Sequence, residues 1–486
     1  MQKEIRQLEP IAVWNRFADL NEVPRPSKKE ERVIAFMLAF GKSLDLETLE
    51  DEIGNVIIRK PATKGMEDCK IVTLQSHLDM VHQKNSDTDF DFDTQGIQMY
   101  IEDGWVKAEG TTLGADNGMG VAAIMALLES TDIPHPPLEA LFTIDEETGM
   151  TGALGLKGGI LQGEILLNLD TEEDDEIGIG CAGGVDVTAR AIYKEETPLE
   201  NTASYSLVVK GLRGGHSGMD IHRGFGNANK IMNRLLQEAT KGYCIQVATI
   251  NGGSLRNAIP RESSAIIVVT SDKKENFEKE LKVWIAAIKN ELSTTEPNLV
   301  VELNITEIPK TVMTAEAQDK LLRAIRAAIN GVYCMSAVVK GLVETSNNVA
   351  RVVVADGSIR VACLTRSSVD SAKWDLGHSL QSVFELAGYD VVLDNDYPGW
   401  EPNPDSSIAK VLVAQYKTLF KETPKVAACH AGLECGILGT NYPDMDMISF
   451  GPIIKGAHSP DERVNIASVQ KFWKFTLETL KNSPKK

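Results

Sequence analysis

The chain has 486 residues, of which 43% are hydrophobic and 24% charged, so it is long enough to bury a large core and to divide into two domains. Its formal charge of -19 disfavours binding to nucleic acid or to anionic membrane surfaces. No apolar stretch approaches the ~20 residues that span a bilayer, and the amino-terminal segment lacks the apolar core of a signal peptide. Seven cysteines without paired spacing are expected to be buried thiols in a reducing compartment, so we predict a cytoplasmic protein.

The first third of the chain alternates helix-like and strand-like segments. Amphipathic helices are predicted over residues 10–20 and 30–44, and a later, more apolar helix has the sequence MGVAAIMALLES. The predicted strands are NVIIRK, KIVTLQSH, LEALFTID and EILLNLD. Apolar strands separated by helices predict a mostly parallel sheet that is covered on both faces, which is an α/β fold.

The pattern changes near Gly184. The segments from SYSLVVKGL to LVVELNIT follow the order strand, helix, strand, strand, helix, strand, which is the split βαβ or ferredoxin-like plan. A weaker second copy runs from AQDKLLRAIRAAIN to DVVLDND, and after YPGWEPNP the earlier α/β pattern resumes. We therefore predict one domain formed by residues 1–185 and 397–486, and an inserted α+β domain over residues 186–396.

Histidines and carboxylates occur in short motifs, several of them at the carboxyl ends of predicted strands, the edge where open α/β sheets place their sites. The candidates are His77 and Asp79 in SHLDM, Asp116 in GADNG, Glu146 and Glu147 in IDEETG, Asp170 in LNLD and His458 in GAHSPDE. Two imidazoles with three or more carboxylates are typical of two hydrolytic metal ions, because carboxylates bridge cations and imidazole favours zinc-like metals. This set predicts a dinuclear metallohydrolase.

Each of these motifs also has a structural alternative. His77 would otherwise be a core histidine, Asp79 a cap and GADNG a turn. Glu146 and Glu147 would otherwise be exposed charges at a strand end. Two adjacent carboxylates after an apolar strand either repel each other or share a cation, however, and a metal would leave one as a ligand and the other as a general base.

Nine motifs, in chain order, resemble those of the aminoacyl-histidine dipeptidases (peptidase D), which belong to the dizinc superfamily that includes carnosinases, aminoacylases and desuccinylases. They are SHLDMVHQK, LGADNGMGVA, DEETGMTGA, NLDTEE, GCAGG, GLRGGHSGMDI, RNAIPRES, HAGLECG and GPIIKGAHSPDERV. The resemblance implies a zinc-peptidase-like catalytic domain with an inserted lid domain of two ferredoxin-like halves. It also implies hydrolysis of small dipeptides, Xaa-His dipeptides such as β-alanyl-histidine among them. A deacylase of N-acyl amino acids and a noncatalytic metal-binding protein are the alternatives.

The resemblance also implies a role for each metal ligand. Asp116 would bridge two divalent metal ions, which would be zinc, or alternatively cobalt or manganese. His77 and Asp170 would complete one site, and Glu147 and His458 the other. The five side chains would converge around metals ~3.5–4 Å apart. The peptide bond that follows Asp116 would be cis.

Three further residues have implied catalytic roles. Glu146 would accept a proton from the attacking water and pass it to the leaving amine, and Asp79 would orient His77. His216, in RGGHSGM, would stabilise the tetrahedral oxyanion; otherwise HSG starts a helix capped by Ser217. In relatives with a single split βαβ lid, this imidazole comes from the other subunit of a dimer. Because this chain has two such units, a homodimer is possible but is not expected to be required for a complete active site.

Four residues are implied to bind the substrate. Asn257 in RNAIP and Arg366 in LTRSSVD would hold its terminal carboxylate, since a planar guanidinium binds a carboxylate through two hydrogen bonds. His430 and Gly432 in HAGLECG would line the same pocket. Arg366 would otherwise form a surface ion pair, and His430 would otherwise be a structural residue.

Overall fold

The computed structural model describes residues 2–486, which divide into two compact units. Unit 1 contains the residues up to Cys181, together with Trp400–Ala428 and Leu433–Lys486. Unit 2 contains Ala182–Gly399 and Cys429–Gly432. The chain therefore changes unit close to the predicted domain boundaries. Within the predicted carboxyl-terminal segment, Cys429–Gly432 belongs to unit 2.

The first segment of unit 1 contains most of the strands of its main sheet. In chain order its elements are α1 (Gln2–Ile5), α2 (Ile11–Asn21), α3 (Glu31–Ser43), β1 (Glu47–Glu50), β2 (Val56–Lys60), β3 (Val72–His77), β4 (Met99–Glu102), β5 (Trp105–Ala108), α4 (Ala115–Glu129), β6 (Leu138–Thr143), α5 (Glu146–Gly149), α6 (Thr151–Gly155), β7 (Ile165–Asn168) and β8 (Glu176–Cys181).

The elements of unit 2 follow, with a 3₁₀ turn at Ile221–Arg223 between the third strand and the first helix. They are β9 (Gly183–Ile192), β10 (Glu195–Glu196), β11 (Thr202–Lys210), α7 (Ala228–Tyr243), β12 (Gln246–Gly252), β13 (Ser263–Thr270), α8 (Lys274–Glu291), β14 (Val300–Ile305), β15 (Val312–Met313), α9 (Ala315–Ala327), β16 (Gly331–Met335), β17 (Val343–Ala355), β18 (Ser358–Ser367), α10 (Asp370–Leu386) and β19 (Asp390–Tyr397).

The chain then returns to unit 1. The last elements are α11 (Ser407–Phe420), β20 (Lys425–Cys429), α12 (Glu434–Asn441), β21 (Asp446–Ser449), β22 (Ile454–Lys455), β23 (Arg463–Asn465) and α13 (Ile466–Lys481).

An eight-stranded sheet in the order β1-β2-β6-β3-β7-β21-β8-β20 forms the centre of unit 1. Strands β6, β3, β7 and β21 run parallel, whereas β2 and β8 join them antiparallel. Every residue of β3, β6 and β7 is buried, as expected for parallel strands that are covered on both faces. The carboxyl ends of these strands therefore meet at one edge of the sheet, where the motifs SHLDM, IDEETG and LNLD lie. A second sheet, β22-β23-β5-β4, was not predicted.

A nine-stranded sheet runs through unit 2 in the order β14-β11-β13-β12-β17-β18-β9-β19, with β16 paired to β17. The first predicted split βαβ half consists of β11, α7, β12, β13, α8 and β14. The second half consists of β9, α9, β17, β18, α10 and β19, so its first strand precedes the whole first half in the chain. One ferredoxin-like half is therefore inserted into the other, and β12 pairs with β17 to join them into one sheet.

Helices α7 and α9 contribute apolar side chains to the core of unit 2, among them Leu236 and Ile325. Both helices begin at a side-chain cap, which satisfies backbone N–H groups that have no partner within the helix. Asn227 accepts two such hydrogen bonds at the start of α7, and Thr314 accepts one at the start of α9.

None of the helices in the described part of the chain is both long enough and apolar enough to cross a bilayer. Cys244 caps the end of α7 and Cys334 lies in β16, and both are exposed. The expectation that all cysteines are buried is therefore wrong.

Candidate metal centre and active site

His77 is the last residue of β3 and is almost completely buried. Its Nδ1 lies 3.1 Å from the backbone oxygen of Asp79 and 3.4 Å from an Asp79 carboxylate oxygen. Its Nε2 lies 3.4 Å from Asp116 Oδ1 and 3.5 Å from Asp170 Oδ1. Contact with Asp79 thus turns Nε2 towards the two other carboxylates, which is how an orienting carboxylate presents a metal-binding imidazole.

Asp116 lies at the start of α4, and its two carboxylate oxygens face different imidazoles. Oδ1 is 3.4 Å from His77 Nε2, and Oδ2 is 3.3 Å from His458 Nε2. The peptide bond between Asp116 and Asn117 is cis, so this prediction is confirmed. The Asn117 side chain donates a hydrogen bond to the Asp170 carboxylate and so holds Asp170 beside Asp116.

Glu146 and Glu147 form the first turn of the short helix α5, shortly after β6 ends. Their backbone N–H groups donate to the Asp79 carboxylate at 3.0 and 3.3 Å. Glu147 Oε2 is 3.0 Å from His458 Nε2, and its Oε1 is buried without a hydrogen-bond partner among the described residues. Burial raises the pKa of Glu146 well above its usual value. The alternative of exposed strand-end charges is wrong for Glu147, whose side chain is only 3% exposed.

The candidate ligands form two groups that share Asp116. One group contains ligand atoms of His77, Asp116 and Asp170 within 4.8 Å of one another, and the other contains those of Asp116, Glu147 and His458. The structure therefore brings together all five residues that the family resemblance implies as metal ligands. Glu146 joins the same region, in a further group with His77 and Glu147.

Buried negative charge dominates the electrostatics of this region. Burial alone would lower the pKa of His77, but the carboxylates of Asp170 and Asp116 raise it well above its usual value. Hydrogen bonds with Asp116 and Glu147 raise the pKa of His458 to about 11. A divalent cation placed among these groups would neutralise the excess charge and give Glu147 Oε1 a partner. Two imidazoles and three carboxylates are also donors that divalent ions of the zinc type accept, so the residues fit such metals.

A row of buried polar side chains beneath the ligands was not predicted from the sequence. Glu434, in HAGLECG, accepts hydrogen bonds from Gln75 of β3 and Thr143 of β6, both at 2.6 Å. Burial raises the pKa of Glu434 to about 8. Asn168 of β7 donates to Gln75 and accepts from Ser449 of β21. The row thus links the four parallel strands. On β3 and β7 it lies two residues before the candidate ligands His77 and Asp170.

Two other buried residues, Arg25 and Glu462, also escaped prediction. Glu462 lies in the same motif as His458, so its position in the sequence was a signal that it belongs near the site. Arg25 lies in VPRPS, a segment that predicts only a break between two helices. Nothing in this segment indicates that Arg25 belongs near the site.

In unit 2, His216 lies in a loop between β11 and α7. Its Nδ1 accepts hydrogen bonds from the backbone N–H groups of Gly218 and Met219 at 3.2 and 3.0 Å. A neutral imidazole that accepts at Nδ1 carries its proton on Nε2. The alternative of a helix start capped by Ser217 is wrong, because the next regular element is a 3₁₀ turn whose cap residue is Asp220.

Other residues predicted to bind substrate lie beside this loop. The Ser217 N–H donates to the Asn257 carbonyl at 2.7 Å. Gly218 packs so tightly that a Cβ there would lie 1.8 Å from the carbonyl oxygen of His430. Gly432 follows His430 by two positions in the short segment that belongs to unit 2.

Arg366 is a buried residue of β18, so the alternative of a surface ion pair is wrong. Its Nη1 donates to the Tyr397 hydroxyl at 2.6 Å, and its Nε has no hydrogen-bond partner among the described residues. Arg366 also lies opposite Ser346 in the β17–β18 ladder, and the Ser346 hydroxyl is 2.7 Å from His430 Nε2. A buried guanidinium with an unsatisfied N–H suits an anionic ligand.

Comparison with known proteins identifies the family. The model of peptidase family M20/M25/M40 matches residues 73–482. The chain belongs to this family. It is therefore a hydrolase that acts on peptide bonds, as predicted, and the resemblance seen in its motifs is confirmed.

Individual M20 relatives match almost the whole chain. The cytosol non-specific dipeptidase of Escherichia coli (strain K12) is 44% identical over 483 residues, which are 99% of this chain and 100% of the relative. The crystal structure of aminoacylhistidine dipeptidase from Vibrio alginolyticus matches with a TM-score of 0.92 and 42% identity, over 99% of this chain and 98% of that one. Aminopeptidase PepT from Bacillus cereus ATCC 10987 shares the fold, with a TM-score of 0.56 and 15% identity over 98% of each chain. The predicted fold class is confirmed by these structures.

The surroundings of His430 predict a pH effect in this M20 peptidase. Burial lowers the pKa of His430 to about 3, and the positive charge of Arg366 acts in the same direction. Nitrogen-15 NMR should therefore show a neutral His430 ring from about pH 8 down to about pH 5. Protonation of this ring with a midpoint near the ordinary value of about 6.5 would contradict the prediction.

The same shift has a consequence for stability. The unfolded chain binds a proton at His430 below about pH 6.5, whereas the folded chain does not until about pH 3. The neutral His430 ring therefore makes its full contribution to the free energy of unfolding above the pKa of the unfolded chain. This contribution is lost as the pH falls towards the pKa of the folded chain. The His430→Gln variant should lose less unfolding free energy than the wild type between about pH 7 and 5.

Proposed function

We propose that this M20 peptidase is a cytoplasmic dipeptidase that works with two divalent metal ions. The observation that carries the proposal is the Asp116 carboxylate, since each of its oxygens faces a different imidazole and a different group of ligands. A carboxylate placed in this way is suited to bridge two metal ions. The names of the Escherichia coli and Vibrio relatives support a dipeptide substrate, and the first also supports a cytosolic location.

His77 and Asp170 would hold one metal, Glu147 and His458 would hold the other, and Asp116 would be shared. Zinc is the metal that this mixed set of imidazole and carboxylate donors favours, and cobalt or manganese accepts the same donors. When bound, the metal ions supply Lewis-acid activation of the attacking water and of the scissile carbonyl.

Glu146 is the proposed general base. Its carboxyl group is buried beside Glu147 and His77, and burial increases its affinity for a proton. The carboxylate would take a proton from the attacking water and deliver it to the departing amine, so that a neutral amine leaves. Asp79 would orient His77 and, by accepting the backbone N–H groups of Glu146 and Glu147, would also fix the turn that carries the base.

His216 and the residues around it are proposed to recognise the substrate. Because His216 Nδ1 accepts two backbone hydrogen bonds, the ring proton is on Nε2, as a hydrogen bond to the tetrahedral oxyanion requires. Arg366 and Asn257 would bind the terminal carboxylate of the dipeptide, with His430 and Gly432 lining the pocket. The buried, unsatisfied Nε of Arg366 supports this assignment.

The proposed substrates are Xaa-His dipeptides, including β-alanyl-histidine, which is in keeping with the Vibrio relative. The test assays these dipeptides beside other dipeptides, N-acetyl amino acids and N-succinyl amino acids, each with added zinc, cobalt or manganese and with a chelator. We expect metal-dependent cleavage of the dipeptides. Cleavage of acylated substrates alone would favour a deacylase, and metal binding without hydrolysis would favour a noncatalytic protein.

The adjacent glutamates give a matched pair of variants. Glu146→Gln should lower kcat by about 10²- to 10⁴-fold and leave the metal content unchanged, because the base is removed but no ligand is lost. Glu147→Gln should release metal. Metal content by mass spectrometry, measured beside kcat, separates the two roles. Full activity in Glu146→Gln, or full metal content in Glu147→Gln, would show that the roles are wrongly assigned.

We further propose that each chain is catalytically complete and that dimers, where they form, are not needed for activity. The test mixes Glu146→Ala with His216→Ala under conditions that allow subunits to exchange. If His216 serves its own chain, no mixture regains activity. Recovery towards half of the wild-type rate per mixed dimer would show that His216 acts on the other subunit.

A further inference from the structure

The loop that leads into Asp116 is held by a buried carboxylate, Glu462. Its Oε2 accepts the backbone N–H groups of Leu113 and Gly114 at 2.7 and 2.9 Å. Its Oε1 accepts those of Ala115 and Asp116 at 2.7 and 3.2 Å. Four consecutive N–H groups therefore point at one side chain, which is 2% exposed. An ionised carboxylate is suited to this position because both of its oxygens only accept.

The buried guanidinium of Arg25 binds the same loop through a backbone carbonyl. Its Nη2 donates to the Gly114 carbonyl at 2.5 Å, and its Nη1 donates to the carbonyls of Leu78 and Asp79 at 3.0 and 3.1 Å. Glu462 thus binds the N–H of Gly114 while Arg25 binds its C=O. Gly114 has φ +70°, and a Cβ there would lie 2.5 Å from Arg25 Nη2, so a side chain at this position would displace the guanidinium.

The two charged residues also connect segments that are far apart in the chain. Arg25 joins the Asp116 loop to the turn after β3, which carries Asp79. Glu462 follows His458 by four residues, so its hydrogen bonds join the His458 loop to the Asp116 loop. Burying an arginine and a glutamate is costly unless hydrogen bonds satisfy them. Here backbone groups satisfy both carboxylate oxygens of Glu462 and both Nη atoms of Arg25.

We propose that Arg25 and Glu462 are positioning residues for the metal centre. Together they hold the backbone before Asp116 so that its carboxylate presents one oxygen to each group of ligands. Glu462 in addition fixes the distance between Asp116 and His458. Its loss should therefore weaken the site of Asp116, Glu147 and His458 more than the site of His77 and Asp170. This inference rests on the proposed function, because it takes Asp116 and His458 as metal ligands.

The test measures zinc dissociation constants of the full-length, metal-depleted protein by competition with a chromophoric chelator. In Glu462→Gln, one oxygen becomes an NH₂ group that faces backbone N–H groups. We expect one of the two zinc sites to weaken by about 10- to 100-fold, which is the usual effect of losing a group that positions a ligand. Arg25→Lys keeps the charge, but an ammonium group cannot reach all three backbone carbonyls that the guanidinium binds. This variant should therefore also raise the zinc dissociation constant. Activity should recover at saturating zinc in both variants.

Glu139 offers a matched control. It is buried at the start of β6 and accepts hydrogen bonds from Arg59, Thr73 and the backbone N–H groups of Gln162 and Gly163, but it lies at the other end of the strand from the ligands. Glu139→Gln should lower the temperature of unfolding without changing zinc affinity. A merely structural role for Glu462 would produce the same pattern.

The outcomes separate this inference from the proposed function. If the wild type binds two zinc ions and both are held with unchanged affinity in Glu462→Gln and Arg25→Lys, the positioning role is overturned. If Glu462→Gln does not fold, the affinity of Arg25→Lys decides the question by the same criterion. If the wild type binds fewer than two zinc ions, or Asp116→Asn binds them as tightly as the wild type, the proposed function fails instead.

Discussion

Unit 1 must accommodate a cluster of buried carboxylates at the carboxyl ends of β6, β3 and β7. Asp79, Asp116, Glu147 and Asp170 all have side chains that are at most 14% exposed, and they lie around the single ring of His77 or next to it. Burying unpaired charge of one sign costs several kcal/mol for each group. Such a cluster persists only if the surrounding structure compensates for it.

Hydrogen-bond donors compensate part of this charge. The Asp79 carboxylate accepts the backbone N–H groups of α5 and the hydroxyl of Ser27, and Asp170 accepts the amide of Asn117. Asp116, Asp170 and Glu147 each also face the Nε2 atom of an imidazole. The difference separates the carboxylates by the function that suits them. Asp79, which backbone and hydroxyl donors satisfy, is suited to orient its neighbours, whereas the three that face Nε2 atoms are suited to bind cations.

The proposed ligands come from segments that lie on both sides of unit 2 in the sequence. His77, Asp116, Glu147 and Asp170 precede it, whereas His458 follows it. Strand β21 pairs in parallel with β7, so the returning chain is added to the same sheet and its carboxyl end reaches the same edge. The insertion of unit 2 in the sequence therefore does not remove His458 from the other proposed ligands. The pairing of β21 with β7 returns the chain to the same edge of the sheet.

Much of this arrangement could be predicted from the sequence, for a physical reason. Parallel strands end at one edge, so candidate ligands that end KIVTLQSH and EILLNLD or directly follow LEALFTID had to lie close together. Strand β9 was missed because its partners, β18 and β19, follow it by more than 160 residues and nothing local marks it as the start of the second ferredoxin-like half. Arg25 was missed because its function lies in contacts with backbone carbonyls, which leave no pattern in the sequence.

The most direct test of the metal centre is anomalous diffraction from crystals of the zinc-loaded protein, recorded on both sides of the zinc absorption edge. The shared position of Asp116 predicts two peaks ~3.5–4 Å apart, one beside each of its carboxylate oxygens. A single peak, or a peak in the separate cluster of Glu30, Asp79 and Asp145, would contradict a dinuclear centre bridged by Asp116.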